Sequence, residues 1–134
     1  MPPVPTGWKG QCQSEEAFNT STCNRKIIGA RYDISGYATK EDDGKKVLFK
    51  SPRDSTGHGN HTTSTVVEHY ISNMNYKALA FGGARGGAPM ARIAAYKTCW
   101  SFGCYDINLL VAFDDAIKNR VHVISLSLIL DAPQ

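Results

Sequence analysis

A chain of 134 residues with 42% hydrophobic side chains is long enough for one globular domain with its own core. The net charge of +3 and the isoelectric point near 8.7 come from dispersed lysines and arginines, and no block of like charge points to a nucleic-acid or membrane surface. No apolar run reaches the roughly eighteen residues of a membrane helix, and Met1-Pro-Pro-Val-Pro5 has neither the charged nor the apolar region of a secretory signal.

Residues 1–26 are polar and turn-rich, and Pro2, Pro3 and Pro5 oppose regular structure, so this stretch is expected to lie over the surface unless Cys12 and Cys23 staple it. Lys26–Tyr32 reads as a short strand. Between it and His58 lies the charged turn Lys40–Lys46, read as a solvated loop with no chemistry. A helix is expected from His58 to about Tyr70, with Thr and Ser in its first turns and Val66, Val67 and Tyr70 on one apolar side. Gly82, Gly83, Gly86, Gly87 and Pro89 then mark a bend where no helix can persist.

Ala91–Lys97 follows as a strand whose mixed pattern fits burial on both faces of a parallel sheet. Asp106 suits the N-cap of a second helix, in which Leu110, Phe113 and Ile117 recur at helical spacing before Asn119 and Arg120 close it. Val121–Leu128 reads as the last strand. Strand, helix, strand, helix, strand describes an α/β fold with a doubly wound parallel sheet.

The chemistry concentrates in Ser51–Thr65, which has the form of a loop delivering His58 to the first turn of a helix. Gly57 and Gly59 leave its imidazole open, and Thr62, Thr63, Ser64 and Thr65 suit a helix whose early turns are buried among polar partners. His58 and His61 share a helical face and could begin a metal site, but no third ligand stands at a recognisable spacing, so none is expected. The four cysteines fall into two close pairs, a spacing that fits short-loop disulfides and reduced thiols alike. Asn19-Thr-Ser21 and Asn60-His-Thr62 are formal glycosylation acceptors, and Asn19 is the one in an evident loop.

Taken with Arg85–Trp100, the Ser51–Thr65 segment resembles the histidine region of plant subtilisin-like serine proteases. Gly7–Cys12 and Cys23–Tyr32 are similar to the stretch that follows the family's aspartate strand, and Asp106–Leu128 to its substrate-side helix and strand. The resemblance implies that residues 1–134 are part of a catalytic domain with a partial subtilisin-like sheet. It further implies that His58 is the general base of a Ser/His/Asp triad. The family's aspartate motif would precede Met1 and its Gly-Thr-Ser-Met segment would follow Gln134; neither motif occurs in the sequence, so the chain alone is expected to be inactive. Asp54 is then a residue that holds the histidine turn, and Ser125 and Ser127 are strand residues without a nucleophile elbow.

By the same resemblance a polypeptide substrate adds as a strand beside two edges, one around Ser101, Phe102 and Gly103, the other at Ser127, Leu128 and Ile129, where Ile129 replaces a family glycine. It implies secretion, Cys12–Cys23 and Cys99–Cys104 bridges, and no cofactor. Position 60 is Asn where the family usually has Thr, and Thr63, Val66, Val67 and Glu68 stand where small residues usually line a buried helix. An unpaired carboxylate buried there would cost several kcal/mol. These departures favour, as the alternative, a catalytically silent remnant acting as a peptide-binding or interaction module.

Overall fold

The computed structural model describes residues 1–38, 49–101 and 103–128, so the Lys40–Lys46 turn, Phe102 and Ile129 lie outside the described residues. The organising element is a parallel pair of strands, β1 (Ile27–Tyr32) and β4 (Ile93–Lys97), in register from Gly29 opposite Ala94 to Tyr32 opposite Lys97. Parallel strands need a long crossover. Here it contains a single-turn helix α1 (Ser35–Ala38), the helix α2 (His58–Val67), and an antiparallel hairpin of β2 (Ile71–Tyr76) and β3 (Leu79–Ala84). Beyond β4 come a two-residue ribbon, β5 (Cys99–Trp100) with β6 (Gly103–Cys104), and helix α3 (Asp106–Lys118). Parallel strands with helical connections make this an α/β fold, as the element order implied.

The N-terminal stretch is more tightly held than its composition suggests. Residues 11–13 run beside the outer edge of β1, where Gln13 N–H donates to the Ala30 carbonyl at 2.9 Å and Ala30 N–H to that of Gln11 at 3.0 Å. The Trp8 indole donates to the Ile28 carbonyl at 2.9 Å and lies across Gly29, where a Cβ would come within 2.7 Å of the ring. Cys12 is joined to Cys23, which closes this loop against the strand.

Helix α3 fastens to the strand pair through its C-terminal end. The Arg31 guanidinium meets the Asp115 carboxylate at 3.1 Å, and the Asn119 amide donates to the Tyr96 hydroxyl at 3.0 Å. Its N-cap is Tyr105, in extended conformation, rather than Asp106; Asp106 is the first helical residue, where its charge complements the positive end of the helix dipole. At the other end Arg120 takes φ 64°, and the N–H groups of Arg120 and Val121 close on the carbonyls of Ile117 and Ala116 in a Schellman turn.

Two expected elements also differ. Helix α2 stops at Val67, short of Tyr70, because Glu68 turns extended and the N–H groups of Gly86, Gly87 and Ala88 bond the carbonyls of Glu68, Thr65 and Val66. The glycine-rich bend therefore caps α2. The stretch Val121–Leu128 is not a strand: after the Schellman turn it runs toward the start of α2 and adds to no β-strand, with Val123, Ile124 and Leu126 exposed. A strand exists only through its pairing, and this segment has no ladder partner among the described residues.

Buried apolar side chains among the described residues include those of Ala30, Val67, Trp100 and Ala116. The hairpin is bare, with Tyr76, Leu79 and Phe81 each more than two-thirds exposed. An isolated two-stranded hairpin is marginal in water, so little of its own burial holds this one.

Candidate functional site

His58 is the first residue of α2, placed there by a turn with Gly57 at φ 89°. That left-handed conformation suits glycine, and nothing lies within 4 Å of where a Cβ would be, so the backbone rather than crowding selects Gly57. Gly57 has no side chain to cap the helix. Asp54 does this from outside: Oδ1 accepts from the N–H groups of Thr56 at 3.0 Å and Gly57 at 2.8 Å, and Oδ2 from Asn60 N–H at 2.8 Å. The Thr56 hydroxyl adds a fourth contact at 3.3 Å. Partial burial acts to raise the Asp54 pKa, but the bonds from Asn60, Gly57 and Thr56 together outweigh it and hold the carboxyl below its ordinary value.

Asp54 thus holds the histidine turn, the part its place in the sequence suggested. A depressed carboxylate pKa contributes stability that is present above the unfolded-state pKa and lost as pH falls through the folded-state value. Asp54→Asn is therefore expected to lower stability by about 1–2 kcal/mol at neutral pH. Thermal melts of the two proteins should converge once the solution is acid enough to protonate Asp54; a gap that persists there, or none at neutral pH, contradicts this role.

Behind Asp54 stands a support that no motif announced. Lys97, at the end of β4, donates to the carbonyls of Arg53 at 2.8 Å and Phe49 at 3.3 Å, and its ammonium lies 4.1 Å from the Trp100 ring centroid. The Trp100 indole donates in turn to the Asp33 carbonyl at 2.9 Å, and its ring meets Tyr32 edge-on at 5.9 Å. Burial lowers the Lys97 pKa, while the negative charge of Asp54 acts to raise it. These contacts join positions 44 and 67 residues apart, too far for local patterning to register.

The His58 ring is exposed, and its Nε2 lies 2.9 Å from the Ser127 carbonyl oxygen. Two of the sequence-selected elements therefore meet directly. Ser127 is exposed and Leu128 half-buried in the segment that was expected to be a strand. Ser101 and Gly103 lie at the tip of the β5–β6 ribbon, which Cys99 and Cys104 close as paired and disulfide-bonded residues. Asn19 caps the 3-10 turn Thr20–Thr22, accepting from Ser21 N–H at 2.9 Å, and is exposed.

The early turns of α2 are not buried among polar partners. Thr62, Ser64 and Thr65 instead bond the helix's own carbonyls at His58, Gly59 and His61, and Glu68 is exposed, so the expected desolvation cost does not arise. His61 lines a cavity of about 590 Å³ between α2 and the strand pair, with Ile27, Val67 and Ile93 also on its wall. No three metal-ligating side chains gather among the described residues. No helix among them is long and apolar enough to cross a membrane.

The profile of the subtilase family matches residues 17–129, most of the chain. The subtilisin-like protease SBT1.5 of Arabidopsis thaliana is 50% identical over 127 residues, which is 94% of this chain and 16% of that protein. SBT1.4 of the same plant is 49% identical over 129 residues, 94% of this chain and 17% of the relative. The subtilisin-like serine-protease S of Lotus japonicus is 45% identical over 136 aligned positions, 98% of this chain and 18% of the relative. The chain thus spans less than a fifth of the length of these relatives. With the match running through the His58 turn, the strand pair and α3, this chain belongs to the subtilase family.

Proposed function

We propose that the chain is part of the catalytic domain of a plant serine endopeptidase, in which His58 is the general base of a Ser/His/Asp triad acting on polypeptides. The supporting observation is the His58 turn: an exposed imidazole at a helix start, on a backbone fixed by Asp54. Acyl transfer also needs a carboxylate to orient the imidazole, a nucleophilic hydroxyl and oxyanion donors. Asp54 does not serve as the first, because its hydrogen bonds go to the turn's own N–H groups and the His58 ring bonds to Ser127 instead. The peptide edges in this reading are Ser101, Phe102 and Gly103 on one side and Ser127 and Leu128 on the other. The exposed hairpin and the bare face of residues 121–128 are surfaces that the rest of a complete domain would cover. The two disulfides and the exposed Asn19 acceptor fit an extracellular protein.

On this reading the isolated chain does not hydrolyse peptides, because catalysis left without a nucleophile is only a small residue of the whole. A serine-directed phosphonate is expected to leave the purified chain unlabelled by mass spectrometry. Stoichiometric labelling of one serine, lost on His58→Ala, would instead reveal a complete nucleophilic site.

A further inference from the structure

The partner of His58 is a carbonyl oxygen, which only accepts, so the proton of the 2.9 Å bond must sit on Nε2. In the neutral ring the lone pair is then on Nδ1. A triad base needs the reverse arrangement, with Nδ1–H held by a carboxylate and the Nε2 lone pair facing the serine hydroxyl. Asp54 does not oppose the observed form, since its hydrogen bonds go to Thr56, Gly57 and Asn60 and the ring's goes to Ser127. On the other side of the bond, residues 121–128 add to no strand among the described residues, and Ser127 meets the His58 ring across 69 positions of sequence.

We infer that the Ser127 carbonyl latches His58 as the Nε2–H tautomer, so that the segment assigned to the peptide edge also holds the base out of action. This rests on the reading of His58 as the base. Freeing the base requires the ring to leave Ser127 and gain a carboxylate at Nδ1, two changes that a completed site would make together. The latch also gives the 121–128 segment a fixed end where no β-ladder holds it.

The test is nitrogen-15 NMR of the uniformly labelled full chain at about pH 9, where an ordinary imidazole is neutral, using long-range ring correlations to read each tautomer. His58 is expected to be wholly the Nε2–H form, whereas the exposed His69 should show both tautomers. Replacing the exposed His58 by Ala is expected to lower the backbone order parameters of Leu126 to Leu128, and His61→Ala to leave them unchanged. A His58 tautomer mixture equal to that of His69, or order parameters unmoved by His58→Ala, overturns the latch. Neither readout depends on hydrolysis, so the latch and the assignment of the base fail separately.

Discussion

Asn108→Leu is expected to destabilise the chain by about 2–4 kcal/mol, enough to unfold a substantial part of a marginal protein. Asn108 is fully buried on α3, and its two ends join different parts of the fold. Its Oδ1 accepts from Gly36 N–H at 2.8 Å, and its Nδ2 donates to the Thr98 carbonyl at 3.3 Å. Leucine has the same branching but bulkier ends, and it takes both bonds away from buried backbone groups, each loss carrying a desolvation cost of about 1–3 kcal/mol. Gly36 leaves no room to adjust, since a Cβ there would approach Tyr105 Cβ at 2.7 Å. Urea unfolding measures the loss; a change under about 0.5 kcal/mol, the size of an ordinary surface substitution, contradicts this account of α3.

Gly86→Ala should be the next most damaging change, at about 1–3 kcal/mol. Gly86 is buried against the end of α2, where a Cβ would stand 2.6 Å from Val67 N and 2.8 Å from Ser64 O. Both are backbone atoms of the helix and cannot swing aside as a side chain would. The substitution therefore pushes the 86–88 loop off the carbonyls it caps. Amide exchange in the last turn of α2 should accelerate, while amides of β1 paired with β4 change less. Unchanged melting and unchanged exchange would mean that the capping loop does not hold α2.

What the sequence revealed and what it hid divide along physical lines. The strands β1 and β4 and the helices α2 and α3 were legible because their apolar patterns are local, and the His58 turn because glycine on both sides of a histidine is a local signature. The β2–β3 hairpin was not: its turn is Lys77-Ala78, with φ 48° and 62° where Asn-Gly would be usual, so the ordinary hairpin signal is missing. The exposed Tyr76, Leu79 and Phe81 further obscure the alternation that a half-buried strand would display. Val121–Leu128 failed in the other direction. Its β-branched, alternating composition reads as a strand, yet pairing depends on a neighbour, and the chain directs this segment to His58 instead.

The departures in α2 carry the same lesson. Thr63, Val66 and Glu68 looked costly because the resemblance implied a buried helix, but all three retain solvent access, as does the cavity-lining His61. Asn60 is tolerated for a simpler reason: its contribution to the turn is its backbone N–H, which any residue other than proline supplies. The support from Lys97, Trp100 and Asn108 escaped notice because a buried polar contact between distant segments leaves no periodic trace.

The central claim is that His58 is the base of a subtilase site, and it is tested most directly by grafting residues 17–129 of this chain over the matching stretch of SBT1.5. The graft supplies the carboxylate, nucleophile and oxyanion donors of the recipient around this chain's own histidine turn. Peptide hydrolysis by the folded graft is expected, falling by about 10⁴-fold or more in His58→Ala at unchanged thermal stability. Hydrolysis that survives His58→Ala, or a folded graft that is inert with His58 in place, would contradict the assignment, and the second result would favour a silent peptide-binding remnant.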